Sequence, residues 1–218
     1  MTDKMIPMML KKIIPCASLC FLLCCCASAD LTIVGGTRGQ REAIQWVYAD
    51  RIPLQFHTSQ SIAVQILNDT DMDSFLNDSN GQPVSNDNSD DSVDGVYEDG
   101  PPVITLRASR PDDELEYTAS HEYGHYVWRT RLNGQQKRAY NRIYAIQKSL
   151  GNLISDYAGY SVDEGFAEAF ATYANFPAQL KAKDPLSYQF LCTLQRLQSQ
   201  HGRIQIDLTQ QQVKLPSK

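Results

Sequence analysis

The residues best suited to chemistry lie in "TASHEYGHYVWRT", residues 118 to 130, where His121 and His125 are four apart and Glu122 follows the first of them. On a helix, side chains four apart share a face, so both imidazoles can offer a nitrogen to one ion. The Glu122 carboxylate then stands beside them, within reach of a water on that ion. This is the H-E-x-x-H arrangement in which zinc peptidases use the glutamate as general base. The plain alternative is coincidence on an ordinary helix, which average composition would produce in about one chain in a hundred of this length.

A catalytic zinc takes a third protein ligand and leaves a fourth position for water. The other histidines are poorly placed for it: His57 precedes an expected strand, His201 stands at the start of a polar tail, and no histidine follows His125 at short range. The stretch "VDEGFAEAFATY" is a better source, because Glu164 and Glu168 are four apart among Phe166, Ala167, Phe170 and Ala171. Burying carboxylates on an apolar helix is costly unless they are paired or bind a metal. Ligating imidazoles usually donate their second N–H to a carboxylate. Glu164 is therefore assigned as the ligand and Glu168 as the partner of a ligating histidine. The reverse assignment, and a pair of solvent-facing helix acids, are the alternatives.

The elements that must position these residues follow from periodicity. A helix is expected from about residue 112 to 132, opened by Asp112, Asp113 and Glu114, whose charge favours a helix N-terminus. "RAYNRIYAIQKSL", "VDEGFAEAFATYANF" and "LSYQFLCTLQRLQ" after Pro185 read as further helices, and "QREAIQWVYAD" as an earlier one. "SIAVQIL" alternates like a strand, and residues 103–106 form a β-rich run whose preceding prolines suit a sheet edge. Residues 68–100 are rich in Asp, Asn, Ser and Gly and read as a solvated, loop-rich segment. Asp69, Asp71 and Asp73, and then Asp90, Ser92, Asp94 and Gly95, imitate calcium loops, but Pro101 stands where the second would need a bidentate Glu, and the first lacks its glycine. Sequons occur at Asn68 and Asn77.

Residues 1–29 have the order of a secretory signal: Lys11 and Lys12, a short apolar run, and Ala27-Ser28-Ala29. That run is shorter than the ~20 residues of a membrane span. Cleavage near Ala29 and a secreted or periplasmic protein without stable membrane insertion are expected, with lipid anchoring on a cysteine at 24–26 as the rival. Five of the six cysteines would leave with the signal, and Cys192 would remain. The 189 residues left suit one catalytic domain at 30–201 with a polar tail at 202–218. They carry seventeen Lys/Arg against twenty-four Asp/Glu, and a net charge of −7 argues against nucleic acid and anionic membrane as partners.

"HEYGH", Tyr157 and "EGFAEAF" from Glu164 together resemble the anthrax lethal factor-like zinc metallopeptidases, which include the secreted Pro-Pro endopeptidases. The interval of thirty-nine residues from His125 to Glu164 is similar to that of the shorter, single-domain members, and the likeness spans residues 96 to 195. It implies an α+β, zincin-like fold: a small sheet with its edge strand beside the H-E-x-x-H helix, and a second, Glu-bearing helix. It also implies Zn²⁺ held by His121, His125 and Glu164, catalysis by Glu122, and Tyr157 as donor to the developing oxyanion, with Tyr160 the fallback. The expected activity is endopeptidase cleavage of extended protein or peptide substrates, docked by β-augmentation on the edge strand at 103–106. The nearer relatives suggest proline around the scissile bond. Two other readings stay open: an exported zinc-binding protein without hydrolysis, and an acidic calcium-binding surface protein.

Overall fold

The computed structural model describes residues 31–57, 60–80 and 93–201. The expected signal segment, the polar tail, and Asp90 and Ser92 of the calcium-like run lie outside the described residues. The architecture is α+β, a small mixed sheet beneath a larger set of helices.

The sheet is built from β1 (Leu31–Gly35), β2 (Ile62–Leu67), β3 (Gly95–Glu98) and β4 (Val103–Arg107), in the order β1-β2-β4-β3. Between β1 and β2 runs α1 (Arg38–Trp46), opened by a capping box of Thr37 and Gln40. β1, β2 and β4 are parallel, with Ala63 opposite Val103, while β3 returns antiparallel with Gly95 opposite Leu106. The run at 103–106 is thus a central strand, and the edge beside the helices is β3. Pro101 and Pro102 sit in the turn before β4, where a missing N–H costs no ladder bond; the Pro102 carbonyl still accepts from the Ala63 amide at 3.1 Å.

Within the segment at 68–100, the described residues 68–80 and 93–100 hold more regular structure than the composition suggests. Asp69–Asn80 form a helix, α2, whose Met72 is fully buried. Asp69 and Asp73, one helical turn apart, both reach the buried Arg107 of β4 at 3.2 and 2.8 Å, and Asp94 pairs with Arg110 at 2.6 Å. Three of the carboxylates considered for calcium are therefore engaged by arginines.

The remaining helices are α3 (Asp112–Tyr126), continued by a wider turn at Val127–Arg131, α4 (Gly134–Leu150), α5 (Val162–Asn175), α6 (Pro177–Lys183) and α7 (Pro185–His201). α3 lies between the sheet and α5. Its stretch from Ala119 to Trp128 is buried throughout, although it contains Ser120, His121, Glu122 and His125. Tyr123, Tyr126, Phe166, Phe170 and Phe56 fill the core around this helix pair. Among the described residues no helix is long and apolar enough to cross a membrane.

Candidate metal centre

The site forms where α3 crosses α5, and its closeness depends on a glycine. A Cβ on Gly124 would lie 2.8 Å from the Ala167 Cα and 3.2 Å from the Ala167 carbonyl oxygen. Those are backbone atoms that cannot rotate away, so the small residue between Tyr123 and His125 sets how near the two helices come. Gly124→Ala should force them apart, costing about 1–3 kcal/mol of stability by overpacking and lowering Tm by roughly 2–4 °C per kcal/mol. Metal affinity should fall with it. Thermal melts with and without metal check this, and an unchanged Tm would contradict the packing argument.

With the helices this close, three side chains converge. His121 Nε2 lies 3.1 Å from Glu164 Oε2 and 3.1 Å from His125 Nε2, and His125 Nε2 lies 3.3 Å from the same Glu164 oxygen. Donors held by one tetrahedral ion with bonds of about 2.0–2.1 Å stand about 3.3 Å apart. Among the described residues His121, His125 and Glu164 form a group positioned to bind a metal ion.

The outer nitrogens explain why this is a metal-like array. His121 Nδ1 meets Glu168 Oε1 at 2.9 Å, and His125 Nδ1 meets Asp163 Oδ1 at 2.9 Å. A carboxylate only accepts, so each Nδ1 carries a proton and donates it. In a neutral imidazole Nε2 is then a bare lone pair. Two such lone pairs and a carboxylate oxygen, all aimed at one point and little exposed, need a cation or extra protons between them.

The charge balance agrees. Burial opposes a charge on His121, but its hydrogen bonds with Glu164 and Glu168 outweigh that and hold it up to about 10. His125, against the same opposition, is held up to about 9 by Asp163 and Glu164. Burial works against ionising Glu164 as well, yet the two imidazoles pull its carboxyl down to about 2. A proton held between these nitrogens and the Glu164 oxygen would have to leave for an ion to enter, so ion binding is coupled to proton release.

Glu122 is 5% exposed and outside the ligand group. Burial pushes its carboxyl pKa up, with His121 and His125 pulling the other way. It packs against β3: a Cβ on Gly95 would come within 2.9 Å of Glu122 Oε1 and 2.6 Å of Thr118 Cγ2. The edge strand therefore passes directly over this carboxylate, and a side chain at residue 95 would displace Glu122 or Thr118.

Tyr157 belongs to a single helical turn, Tyr157–Gly159, between α4 and α5. Its ring centroid is 5.8 Å from that of His121, and Tyr160 lies beyond it at 5.3 Å from Tyr157. Tyr157 is 51% exposed and Tyr160 75% exposed, so Tyr157 is the inner of the two. Partial burial and the Glu164 and Glu122 carboxylates push the Tyr157 phenol up to about 12. It is a hydrogen-bond donor throughout the neutral range.

The six residues singled out from sequence thus lie at or beside one site. Sequence reasoning missed Asp163, although the need for a separate acceptor behind each histidine could have pointed to the acid preceding Glu164. It also missed Arg129, whose Nε stands 3.5 Å from Asp163 Oδ2 while its Nη1 reaches Asp99 at 3.2 Å. Ser155 and Tyr117, which reach Glu168 Oε2 at 2.6 and 3.3 Å, carried no sequence signal. No known family model matches the chain, and no curated protein matches it.

Proposed function

We propose that the chain is an exported zinc-dependent endopeptidase of zincin-like fold, akin to the lethal factor-like metallopeptidases, that hydrolyses extended peptides. The observation that carries this reading is the pairing of a three-donor group, backed by carboxylates on both imidazoles, with a buried glutamate that is not one of the donors. A structural metal site has no use for such a glutamate. Two imidazole nitrogens and one carboxylate oxygen suit zinc, whereas calcium takes six to eight oxygens.

When bound, zinc supplies Lewis acidity, lowering the pKa of water and polarising a carbonyl. His121, His125 and Glu164 would hold it, and Glu168 and Asp163 would keep the two rings oriented. Glu122 takes the proton from the attacking water, and its burial raises the proton affinity of its carboxylate. Tyr157 donates to the oxygen that becomes negative as the water adds. β3 is the sheet edge beside Glu122, and an extended peptide added along it would bring its backbone past that carboxylate. The substrate strand therefore belongs on residues 95–98.

Tyr157→Phe should lower kcat by about 10²-fold while changing KM and zinc content little, because the donor acts mainly after attack has begun. Tyr160→Phe, at the outer tyrosine, should be mild in the same assay. An inactive Tyr160→Phe beside a near-normal Tyr157→Phe would reverse the two roles. The reading as a whole is tested with a peptide library, products mapped by mass spectrometry with and without a zinc chelator. Chelator-sensitive internal cleavage is expected. Bound zinc with no cleavage of any peptide would instead make the chain a zinc-binding protein.

A further inference from the structure

The two oxygens of the Glu168 carboxylate serve different elements, and Oε2 also takes a longer hydrogen bond of 3.3 Å from the Tyr117 hydroxyl of α3. Oε1 accepts the His121 Nδ1 proton at 2.9 Å, and Oε2 accepts the Ser155 hydroxyl at 2.6 Å. The Ser155 oxygen in turn accepts the Ala158 amide at 3.0 Å. The direction of this chain is fixed: the amide gives to the hydroxyl, the hydroxyl gives its only proton to the carboxylate, and the imidazole gives to the other oxygen. Ala158 directly follows Tyr157 and is buried, whereas the Tyr157 ring is half exposed. The other polar anchors of the turn are Tyr144 and Lys148, which donate to the Gly159 carbonyl at 3.1 and 2.7 Å; they come from α4 and do not run through Glu168.

We propose that Ser155 is a positioning residue that locks the Tyr157 turn to His121 through Glu168, so that ion binding at the histidines and order in the tyrosine's turn reinforce each other. The proposal rests on the endopeptidase reading for its effect on turnover, but not for its effect on the turn. An ion on His121 Nε2 holds the imidazole and hence the Nδ1–H bond to Glu168. A Glu168 held in that orientation keeps Oε2 where the hydroxyl needs it, and the hydroxyl keeps the Ala158 amide. Because linkage is reciprocal, ordering the turn must raise ion affinity by the same factor. A serine that merely caps a turn, accepting an amide three residues on, predicts no such dependence on the ion.

Amide hydrogen exchange on the full chain, with zinc and with a chelator, tests this without requiring catalysis. Zinc should slow exchange of the Ala158, Gly159 and Tyr160 amides by about fivefold or more, the lower end of ordinary coupling between sites. In Ser155→Ala the zinc-dependent change should shrink to less than about twofold, and Ser155→Thr, which keeps a hydroxyl, should restore it. In turnover, Ser155→Ala should lower kcat with zinc still bound, and should add less than about twofold in a Tyr157→Phe background, since both changes disable one device. Zinc that binds without slowing these amides, or slows them equally in Ser155→Ala, overturns the proposal. If the exchange pattern appears but no peptide is cut, the endopeptidase reading fails and the positioning role stands.

Discussion

Glu122→Gln is expected to abolish peptide cleavage while leaving about one zinc per chain. The substitution keeps the size of the side chain in a place with no spare room, between the Gly95 backbone and the buried face of α3, so folding should survive it. It removes only the capacity to take a proton. Losing an essential general base typically costs about 10²-fold or more, and residual cleavage above about one per cent of the unmodified chain would sink the assignment. Loss of zinc in this variant would contradict it differently, by making Glu122 a ligand. The site's geometry points away from that, since His121, His125 and Glu164 already bring three donors together without it.

The second large effect separates two acids on one helix. Glu164→Ala removes a donor that stands 3.1 and 3.3 Å from the two imidazole nitrogens. Zinc affinity should fall by on the order of 10²- to 10³-fold, about one donor's share of the roughly 10–16 kcal/mol that a four-donor site supplies. Glu168→Ala leaves all three donors and removes the acceptor that orients His121, so the loss should be smaller, about 10- to 100-fold. Competition with a chromophoric chelator measures both. The opposite order would exchange the two roles, and equal, negligible losses would remove both acids from the site.

How far these residues could be read from the sequence depended on the range of the forces involved. His121, His125, Glu164 and Glu168 are pairs at helical spacing within buried helices, and helical geometry alone brings each pair to one face. The caps of α1 and α4 are likewise local, each made within four residues. β1 was not legible, because its alternation covers only Leu31 and Ile33, half-buried in a five-residue strand at the sheet edge. β4 was misread as an edge because its prolines suggested one, whereas they end just before the strand and leave its ladder intact. α2 is composed of residues that favour turns, and what engages its Asp69 and Asp73 is Arg107, more than thirty positions away. Asp163 and Ser155 acquire their roles only once α3, α5 and the turn between α4 and α5 are packed together.

The proposed function requires that one zinc ion, on His121, His125 and Glu164, make this chain a peptidase. Stripping the chain with a chelator and titrating zinc back against a cleaved library peptide tests it most directly. Activity should be absent without metal, rise linearly, and break at one equivalent of zinc per chain. Cleavage that persists in the stripped chain, or one equivalent of bound zinc with no cleavage of any extended peptide, would contradict it.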